Sequence, residues 1–107
     1  KANAVISVCE AEHSPMWSNT LPKNLSMNNF LKDEIINVRS QDLETFYRLN
    51  GAVYIVRTDI LLNEQRFFPE EKSYAYVMKK DKSIDIDTKT DFRLAEILIN
   101  KKIYEFK

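Results

Sequence analysis

Two aspartates at alternate positions, Asp85 and Asp87, carry the sharpest chemical signal in the chain. They alternate with Ile84 and Ile86, which predicts a strand, and alternate residues of a strand point to one face with Cα atoms about 7 Å apart. Magnesium prefers oxygen ligands and often binds one or two carboxylates alongside waters and substrate phosphates. The pair therefore predicts a divalent cation site at a strand end. In the simpler interpretation, Asp87 caps the next helix and Asp85 is solvated.

A second cluster places a cation and an amide beside the only glycine of the chain. Arg48, Asn50 and Gly51 come directly before a β-favouring run. A guanidinium offers a planar fork for a carboxylate or phosphate, and glycine lets the backbone approach a ligand closely. The alternative for the arginine is an ordinary surface charge. Phe67 and Phe68 also have two interpretations, as packing aromatics or as the lining of a ligand pocket.

The residues that the sequence lacks exclude several classes of site. Cys9 and His13 each occur once, so the chain by itself forms neither a zinc cluster of cysteine and histidine nor a Ser-His-Asp triad. Cys9 lies in an apolar run, which favours a buried thiol. Phosphate-cradling loops need several glycines, and Gly51 stands alone, so a glycine-rich phosphate loop is excluded too.

Length and charge place the chain among small globular proteins. Its 107 residues suit one domain, and 44% hydrophobic with 30% charged residues is typical of a globular cytoplasmic protein. Lys+Arg 16 and Asp+Glu 16 give a formal net charge of +0, so no global field attracts nucleic acid or an anionic membrane, and we predict neither as a partner. The first residues run into a strand-like stretch without a leader, which predicts that the chain starts inside a fold.

Strand-like and helical patterns alternate along the chain, which predicts an α/β fold. The predicted strands are 4–8, which is buried, 52–56, 74–78 and 83–87. A helical turn capped by Ser40, with Leu43, Phe46 and Tyr47 on one face, is predicted before the second strand, and a helix at 59–64 after it. An amphipathic helix is predicted after a capping box at Thr88 to Asp91. Residues 13–38 are apolar without a regular period. This predicts an excursion that packs against a partner subunit.

Three stretches taken in this order, Tyr47–Ile55 (YRLNGAVYI), Phe67–Phe68 and Ser83–Thr88 (SIDIDT), resemble the C-terminal half of bacterial CMP-sialic acid synthetases. The beginning of the chain, with Ile6–Glu10 and His13–Pro15, is similar to the same family. The resemblance covers nearly the whole chain. It implies the C-terminal portion of a Rossmann-like, three-layer α/β/α nucleotidyltransferase fold, without the nucleotide-binding half.

The activity that the resemblance implies is the transfer of CMP from CTP to a sialic acid, N-acetylneuraminate, with magnesium as cofactor and pyrophosphate as product. Residues 1–107 would be the C-terminal part of one cytidylyltransferase domain. Residues 13–38 would be its dimerisation excursion, which reaches over the neighbouring subunit's active site. The implied partners are CTP, the sugar acid and a second copy of the chain. We predict that the chain alone is inactive.

The resemblance also implies roles for individual residues. Asp85 and Asp87 match the catalytic, metal-binding aspartates of the family. The residues that it places in the sugar-acid site are Arg48, Asn50, Tyr54, Arg39 and, against the acyl substituent, Phe67 and Phe68. The chain departs from the family at Met16–Trp17, where some members carry a lysine that binds the sugar acid in the partner subunit.

Two alternatives are left open by the sequence. The substrate could be a related nine-carbon acid, legionaminic or pseudaminic acid, because Phe67 and Phe68 would tolerate several acyl groups. The chain could instead be a non-catalytic module that dimerises through residues 13–38 and keeps relict carboxylates. Thermal protection by magnesium would separate this module from the enzyme.

Overall fold

The computed structural model describes residues 1–105 of the chain. These residues form a three-stranded sheet in the order β2-β1-β3, with β1 at Ala4–Glu10, β2 at Tyr47–Val56 and β3 at Ser73–Met78. The helices are α1 (Thr58–Glu64) and α2 (Lys89–Glu105), with short 3-10 helices at Pro15–Trp17, Ser40–Asp42 and Lys80–Lys82. The predicted α/β class is confirmed. The expected domain extends to residue 107, and its last two residues lie outside the described ones.

β1 is the central and best buried strand. It pairs in parallel with β3, with Ala4 opposite Ser73 and Cys9 opposite Met78. Ala4, Ile6 and Cys9 are all buried, as expected for a strand that has a neighbour on each edge. The predicted buried strand at the start of the chain is therefore confirmed.

β2 runs antiparallel to β1, so the sheet is mixed. The carbonyl of Asn3 accepts a hydrogen bond from the N–H of Arg57 (2.9 Å), and at the other end of the pair the N–H of Ala11 donates to the carbonyl of Phe46 (2.8 Å). Between these two bonds β1 has 7 residues whereas β2 has 10. β2 therefore bulges. The strand contains Gly51 with a φ of 70°, a conformation that glycine adopts most readily.

The structure corrects the helical turn predicted before β2. Only Ser40–Asp42 is helical, as a 3-10 turn, and its N-cap is Arg39 rather than Ser40. The strand begins at Tyr47 rather than at the predicted Ala52. The apolar spacing behind the helical prediction covers less than two turns, and pairing with β1 outweighs so weak a preference.

The strand predicted at 83–87 is wrong as well. This segment follows the Lys80–Lys82 turn without regular structure and leads into α2 at Lys89. Alternation of polar and apolar residues indicates an extended chain, but a strand also needs a neighbour with free N–H and C=O groups. Side-chain hydrogen bonds, rather than a ladder, hold the beginning of this segment.

The other predicted elements are confirmed. α1 spans Thr58–Glu64, with Thr58 inside the helix rather than at its cap, and β3 contains the predicted run 74–78. α2 carries the predicted capping box, because Thr88 N–H donates to Asp91 Oδ2 (3.0 Å) and Asp91 N–H donates to Thr88 Oγ1 (3.2 Å).

The chain divides into two compact units. The first contains Lys1–Cys9 and the chain from Arg48 onward, and the second is Glu10–Tyr47, which includes the predicted excursion 13–38. In the second unit Ile35 is buried, and an open cavity of about 430 Å³ has Trp17, Met27 and Phe30 among its walls. No helix within residues 1–105 has the length and apolar character that a membrane span requires.

Candidate functional site

Three polar residues from different elements form a hydrogen-bonded cluster beside the bulge of β2. They are Ser7 of β1, Asn50 of β2 and Ser83, which follows the Lys80–Lys82 turn, and we call them the Ser–Asn–Ser cluster. Ser7 Oγ donates to Asn50 Oδ1 (2.5 Å), and Asn50 Nδ2 donates to Ser83 Oγ (3.0 Å). Ser7 is 1% exposed and Ser83 is 5% exposed. The cluster ties β1, β2 and the segment before α2 together.

The cluster also satisfies backbone donors of β2 near Gly51. The N–H of Ala52 donates to Asn50 Oδ1 (3.2 Å), and the N–H of Val53 donates to Ser7 Oγ (2.8 Å). The Ala52 N–H is exposed, whereas the Val53 N–H is part-buried, and a buried N–H group left without a partner costs about 1–3 kcal/mol. The two side-chain oxygens therefore stabilise the left-handed backbone that Gly51 permits.

Arg48 lies next to the cluster on the same strand. Its Nη2 donates to the backbone carbonyl of Ser83 and its Nη1 to that of Leu49, both at 3.4 Å. The side chain is half-buried. The structure thus brings together Arg48 and Asn50, two residues predicted to bind the sugar acid, and places them against the segment that leads to Asp85.

Asp85 and Asp87 lie in the irregular segment between the cluster and α2. Both are exposed, and within the described residues neither carboxylate accepts a hydrogen bond or forms an ion pair. No third acidic, histidine or cysteine side chain joins them into a metal-binding group anywhere in residues 1–105. Two available carboxylates still suit magnesium, which completes its shell with waters and substrate phosphates. Because 83–87 is not a strand, no ladder orients the two carboxylates towards one face.

The cap of α2 is formed by Thr88 and Asp91 and not by the side chain of Asp87. Asp91 Oδ2 accepts from the backbone N–H groups of Asp87 and Thr88, both at 3.0 Å. The bond from the Asp87 N–H, followed by the bonds with Thr88, holds the pKa of Asp91 below its ordinary value of 3.8. The Asp87 backbone is therefore anchored at α2 while its carboxylate is left available to a ligand.

The aromatic pair lies in the loop between α1 and β3. Phe67 is 64% exposed and Phe68 is 52% exposed. Phe68 lines a mostly apolar cavity of about 220 Å³, whose other walls include Ile6, Val8, Leu49, Tyr74 and Ala75. Phe67 is not among the lining residues, so the two rings have different surroundings.

None of the three residues of the Ser–Asn–Ser cluster lines this cavity. Side chains of a strand alternate between faces. On β1, the cavity residue Ile6 therefore points to the face opposite Ser7. Within the described residues the structure does not gather Phe68 and the cluster into one pocket.

The remaining candidates are more exposed. Tyr54 lies further along β2, is 44% exposed, and its hydroxyl has no hydrogen-bond partner in the described part of the chain. Arg39 belongs to the second unit, where its Nε contacts Asp42 Oδ2 at 3.1 Å with 74% of the arginine side chain exposed. Met16–Trp17 also belongs to that unit, and the buried indole N–H of Trp17 has no partner within residues 1–105.

Sequence reasoning missed both serines of the cluster. Ser7 carried a usable signal, because a polar residue in the middle of an apolar strand must find a hydrogen-bond partner when it is buried. Ser83 carried none, since it follows a lysine-rich turn that resembles a solvated loop. Its hydroxyl donates to the carbonyl of Lys79 (2.7 Å), a contact that depends on the conformation of the turn.

Sequence comparison relates the chain to sugar-acid cytidylyltransferases. An N-acylneuraminate cytidylyltransferase of Streptococcus agalactiae serotype III (strain NEM316) is 37% identical over 89 residues, which are 82% of this chain and 21% of the relative. A CMP-N,N'-diacetyllegionaminic acid synthase of Legionella pneumophila is 30% identical over 102 residues, which are 90% of this chain and 41% of the relative. An N-acylneuraminate cytidylyltransferase of Escherichia coli O18:K1:H7 is 41% identical over 56 residues, 52% of this chain and 13% of the relative.

These similarities confirm the resemblance predicted from the motifs of the sequence. The names of the relatives describe nucleotidyltransferases, which is the enzyme class predicted here. The chain spans about a fifth of the length of the streptococcal relatives that it matches. No family model matches the chain.

Proposed function

Because most of this chain is related to N-acylneuraminate cytidylyltransferases, we propose that it is the sugar-acid and metal portion of a longer enzyme that transfers CMP from CTP to N-acetylneuraminate. One observation carries this proposal: the Ser–Asn–Ser cluster joins the strand with Arg48 to the segment with Asp85 and Asp87. A carboxylate-binding cation and two metal-binding carboxylates thereby belong to one connected framework. The whole domain would have a Rossmann-like nucleotidyltransferase fold, with its phosphate loop outside this chain.

In the proposed reaction, the anomeric hydroxyl of the sugar acid loses its proton and attacks the α-phosphorus of CTP. A new P–O bond joins the sugar to CMP, the bond to the β-phosphate breaks, and pyrophosphate leaves. Magnesium bound by Asp85 and Asp87 would neutralise phosphate charge. The exposure of both carboxylates and their lack of other partners in the described chain fit that role.

Arg48 is the residue proposed to bind the carboxylate of the sugar acid. A guanidinium forms paired hydrogen bonds with a carboxylate, and the backbone carbonyls beside Arg48 hold it near the aspartate segment. Tyr54 and Arg39 are proposed as further contacts of the sugar. Phe67 and Phe68, both more than half exposed, are proposed to pack against the acyl substituent.

A second substrate is supported by one comparison. The relative that matches 90% of this chain is named for N,N'-diacetyllegionaminic acid. The same reaction on that acid needs the same carboxylate-binding cation and the same metal ligands. N,N'-diacetyllegionaminic acid carries two N-acetyl groups and N-acetylneuraminate one, so the discrimination would depend on the surroundings of Phe67 and Phe68.

We propose that the enzyme is a homodimer whose interface includes residues 13–38. Four large apolar side chains of this segment have between 53% and 70% of their surface exposed, namely Leu21, Leu25, Met27 and Ile36. Exposed apolar patches of this kind mark interaction surfaces. A cytoplasmic location is part of the same proposal.

The proposal is tested with the full-length protein that contains this chain. CTP, magnesium and N-acetylneuraminate are supplied, and pyrophosphate and the CMP-sugar are measured. Parallel reactions contain N,N'-diacetyllegionaminic acid or a sugar of similar size without a carboxylate. We expect product from at least one acid and none from the neutral sugar. Absence of pyrophosphate with every nine-carbon acid would refute the proposed function.

A further inference from the structure

We infer that Asn50 is a positioning residue, which acts through Ser83 on the segment that carries Asp85 and Asp87, and that it does not itself bind the sugar acid. The consequence for catalysis rests on the proposed function, whereas the structural contact does not. This role differs from the one that the family resemblance implies for Asn50.

The first argument is that the amide of Asn50 has no hydrogen-bonding capacity left. A side-chain amide accepts two hydrogen bonds at its oxygen and donates two from its nitrogen. Asn50 Oδ1 accepts from Ser7 Oγ (2.5 Å) and Ala52 N–H (3.2 Å), and Asn50 Nδ2 donates to Ser83 Oγ (3.0 Å) and Met78 Sδ (3.4 Å). A sugar hydroxyl would have to displace one of these partners.

The second argument is that the donors and acceptors of the cluster form one continuous series. The Val53 N–H donates to Ser7 Oγ, and the Ser7 hydroxyl donates to the amide oxygen of Asn50. The Asn50 amide donates to Ser83 Oγ, and the Ser83 hydroxyl donates to the carbonyl of Lys79. Each serine hydroxyl accepts one bond and donates one, so each bond strengthens the next. An apolar side chain at position 50 would interrupt the series in its middle.

The third argument is that the series of hydrogen bonds ends at the turn directly before the aspartate segment. Ser83 is bonded to Lys79, and the backbone N–H groups of Lys82 and Ser83 donate to the carbonyls of Lys79 and Lys80 at 3.1 and 3.0 Å, so the Lys80–Lys82 turn is closed at both ends. Asp85 follows two residues later, with no strand ladder to direct it. The direction of the aspartate segment is therefore set by the anchored Ser83 on one side and by the cap of α2 on the other.

The test compares three alanine variants of the full-length protein. Asn50→Ala and Ser83→Ala each remove the bond between Asn50 and Ser83. Ser73→Ala is the matched control, because Ser73 Oγ also donates to a backbone carbonyl four residues earlier, that of Pro69, but lies outside the cluster. Three quantities are measured: hydrogen exchange of the Lys82 and Ser83 amides without ligand, the magnesium concentration for half-maximal thermal protection at fixed CTP, and the KM for the sugar acid.

We expect both cluster variants to exchange these amides about tenfold faster and to require about tenfold more magnesium, the change expected for one buried hydrogen bond. The KM for the sugar acid should stay within about twofold of wild type, because no substrate contact is lost. Ser73→Ala should resemble wild type in amide exchange and in its magnesium requirement, the two quantities for which it is the control.

A raised KM for the sugar acid in Asn50→Ala, with wild-type behaviour of Ser83→Ala, would overturn the inference and assign Asn50 to the substrate. If Asn50→Ala does not fold, Ser83→Ala decides alone, since unchanged exchange and an unchanged magnesium requirement would both contradict the positioning role. Failure of the proposed function is recognised separately, by wild-type protein that forms no pyrophosphate. In that case the exchange of the Lys82 and Ser83 amides still tests whether Asn50 and Ser83 hold the beginning of the segment.

Discussion

Two aspartates four residues apart have different roles in this structure. Asp91 accepts backbone hydrogen bonds from Asp87 and Thr88 and so belongs to the cap of α2. The carboxylate of Asp87 is exposed and has no partner within the described residues. The same chemical change at the two positions should therefore affect different properties, stability at Asp91 and chemistry at Asp87.

Asp87→Asn in the full-length enzyme should reduce turnover by about a hundredfold or more, because a group that neutralises charge in the transition state is lost. Its melting temperature should change little, since the carboxylate is exposed and forms no hydrogen bond or ion pair in the described chain. Asp91→Asn is the contrasting variant: it should lower the melting temperature and, because the cap also directs the aspartate segment, reduce turnover of the folded fraction far less than Asp87→Asn does. Near-normal turnover of Asp87→Asn at ordinary magnesium concentrations would contradict the metal assignment.

At the scale of residues, the sequence predicted which side chains belong to the candidate site better than it predicted their hydrogen-bond partners. Arg48 and Asn50 were identified as candidates, and the structure places them together beside the aspartate segment. The hydrogen bonds that occupy Asn50 were not predictable, because its partners Ser7 and Ser83 are 43 and 33 residues away along the chain. Only pairing of the strands brings such distant groups within reach.

At the scale of elements, the beginning of α2 makes stability depend on pH. The pKa of Asp91 is lowered by hydrogen bonds from the Asp87 N–H and from Thr88. A carboxylate with a lowered folded-state pKa contributes stability above its unfolded pKa, and this contribution is lost as the pH falls through the folded value.

We therefore expect the melting temperature of wild type to exceed that of Asp91→Asn above the ordinary pKa of 3.8. The difference should shrink as the pH falls below that value. Circular dichroism melts of both proteins between about pH 2 and pH 6 test this expectation. A difference that stays constant across the range would show that the carboxylate's charge does not stabilise the cap.

The bulge of β2 depends on the backbone conformation of Gly51. Its φ is 70°, and a Cβ atom added there would meet no atom within 4 Å. The cost of a side chain is therefore conformational rather than steric.

Gly51→Ala should lower the free energy of unfolding by about 1–2 kcal/mol, and Gly51→Asn by less, because asparagine adopts the left-handed region more easily. Urea denaturation of both variants and wild type measures these differences. Equal costs for alanine and asparagine would indicate that something other than the φ angle of residue 51 is responsible.

The elements that the sequence predicted correctly are those with local causes. The capping box of α2 and the β-favouring run of β3 act within a few residues, so their patterns are sufficient. The alternation at 83–87 was equally regular, yet this segment is not a strand because it has no paired neighbour. The extension of β2 back to Tyr47 likewise depends on β1, which lies far away along the chain.

At the scale of the whole molecule, the sheet exposes apolar side chains that a complete α/β domain would cover. Ile55, Tyr74 and Val77 have between 58% and 62% of their surface exposed. Sheets with parallel strands normally have both faces covered. This exposure agrees with the proposal that the chain is one portion of a larger enzyme. Composition predicted a globular chain and the alternation of patterns an α/β fold, but neither predicted which surfaces would be left exposed.

The proposed homodimer is tested in the full-length protein. Replacing Leu25 and Met27 by serine removes exposed apolar surface from the 13–38 segment, 70% and 61% of each side chain being accessible. We expect sedimentation velocity to show a dimer for wild type and a shift towards monomer for the double variant. The matched control replaces Leu62, which is also 70% exposed but lies in α1, and should leave the dimer intact. A wild-type monomer at micromolar concentration would contradict the proposal.

The central claim, that this chain supplies the metal and sugar-acid portion of a cytidylyltransferase but not the nucleotide loop, is tested most directly by measuring pyrophosphate release. The full-length protein and the 107-residue chain are each incubated with CTP, magnesium and N-acetylneuraminate, and the remainder of the enzyme is added to the chain in a third reaction. We predict pyrophosphate from the full-length protein and none from the chain alone, because phosphates need backbone donors that one glycine cannot provide. Pyrophosphate from the chain alone, or none from the full-length protein, would contradict the claim.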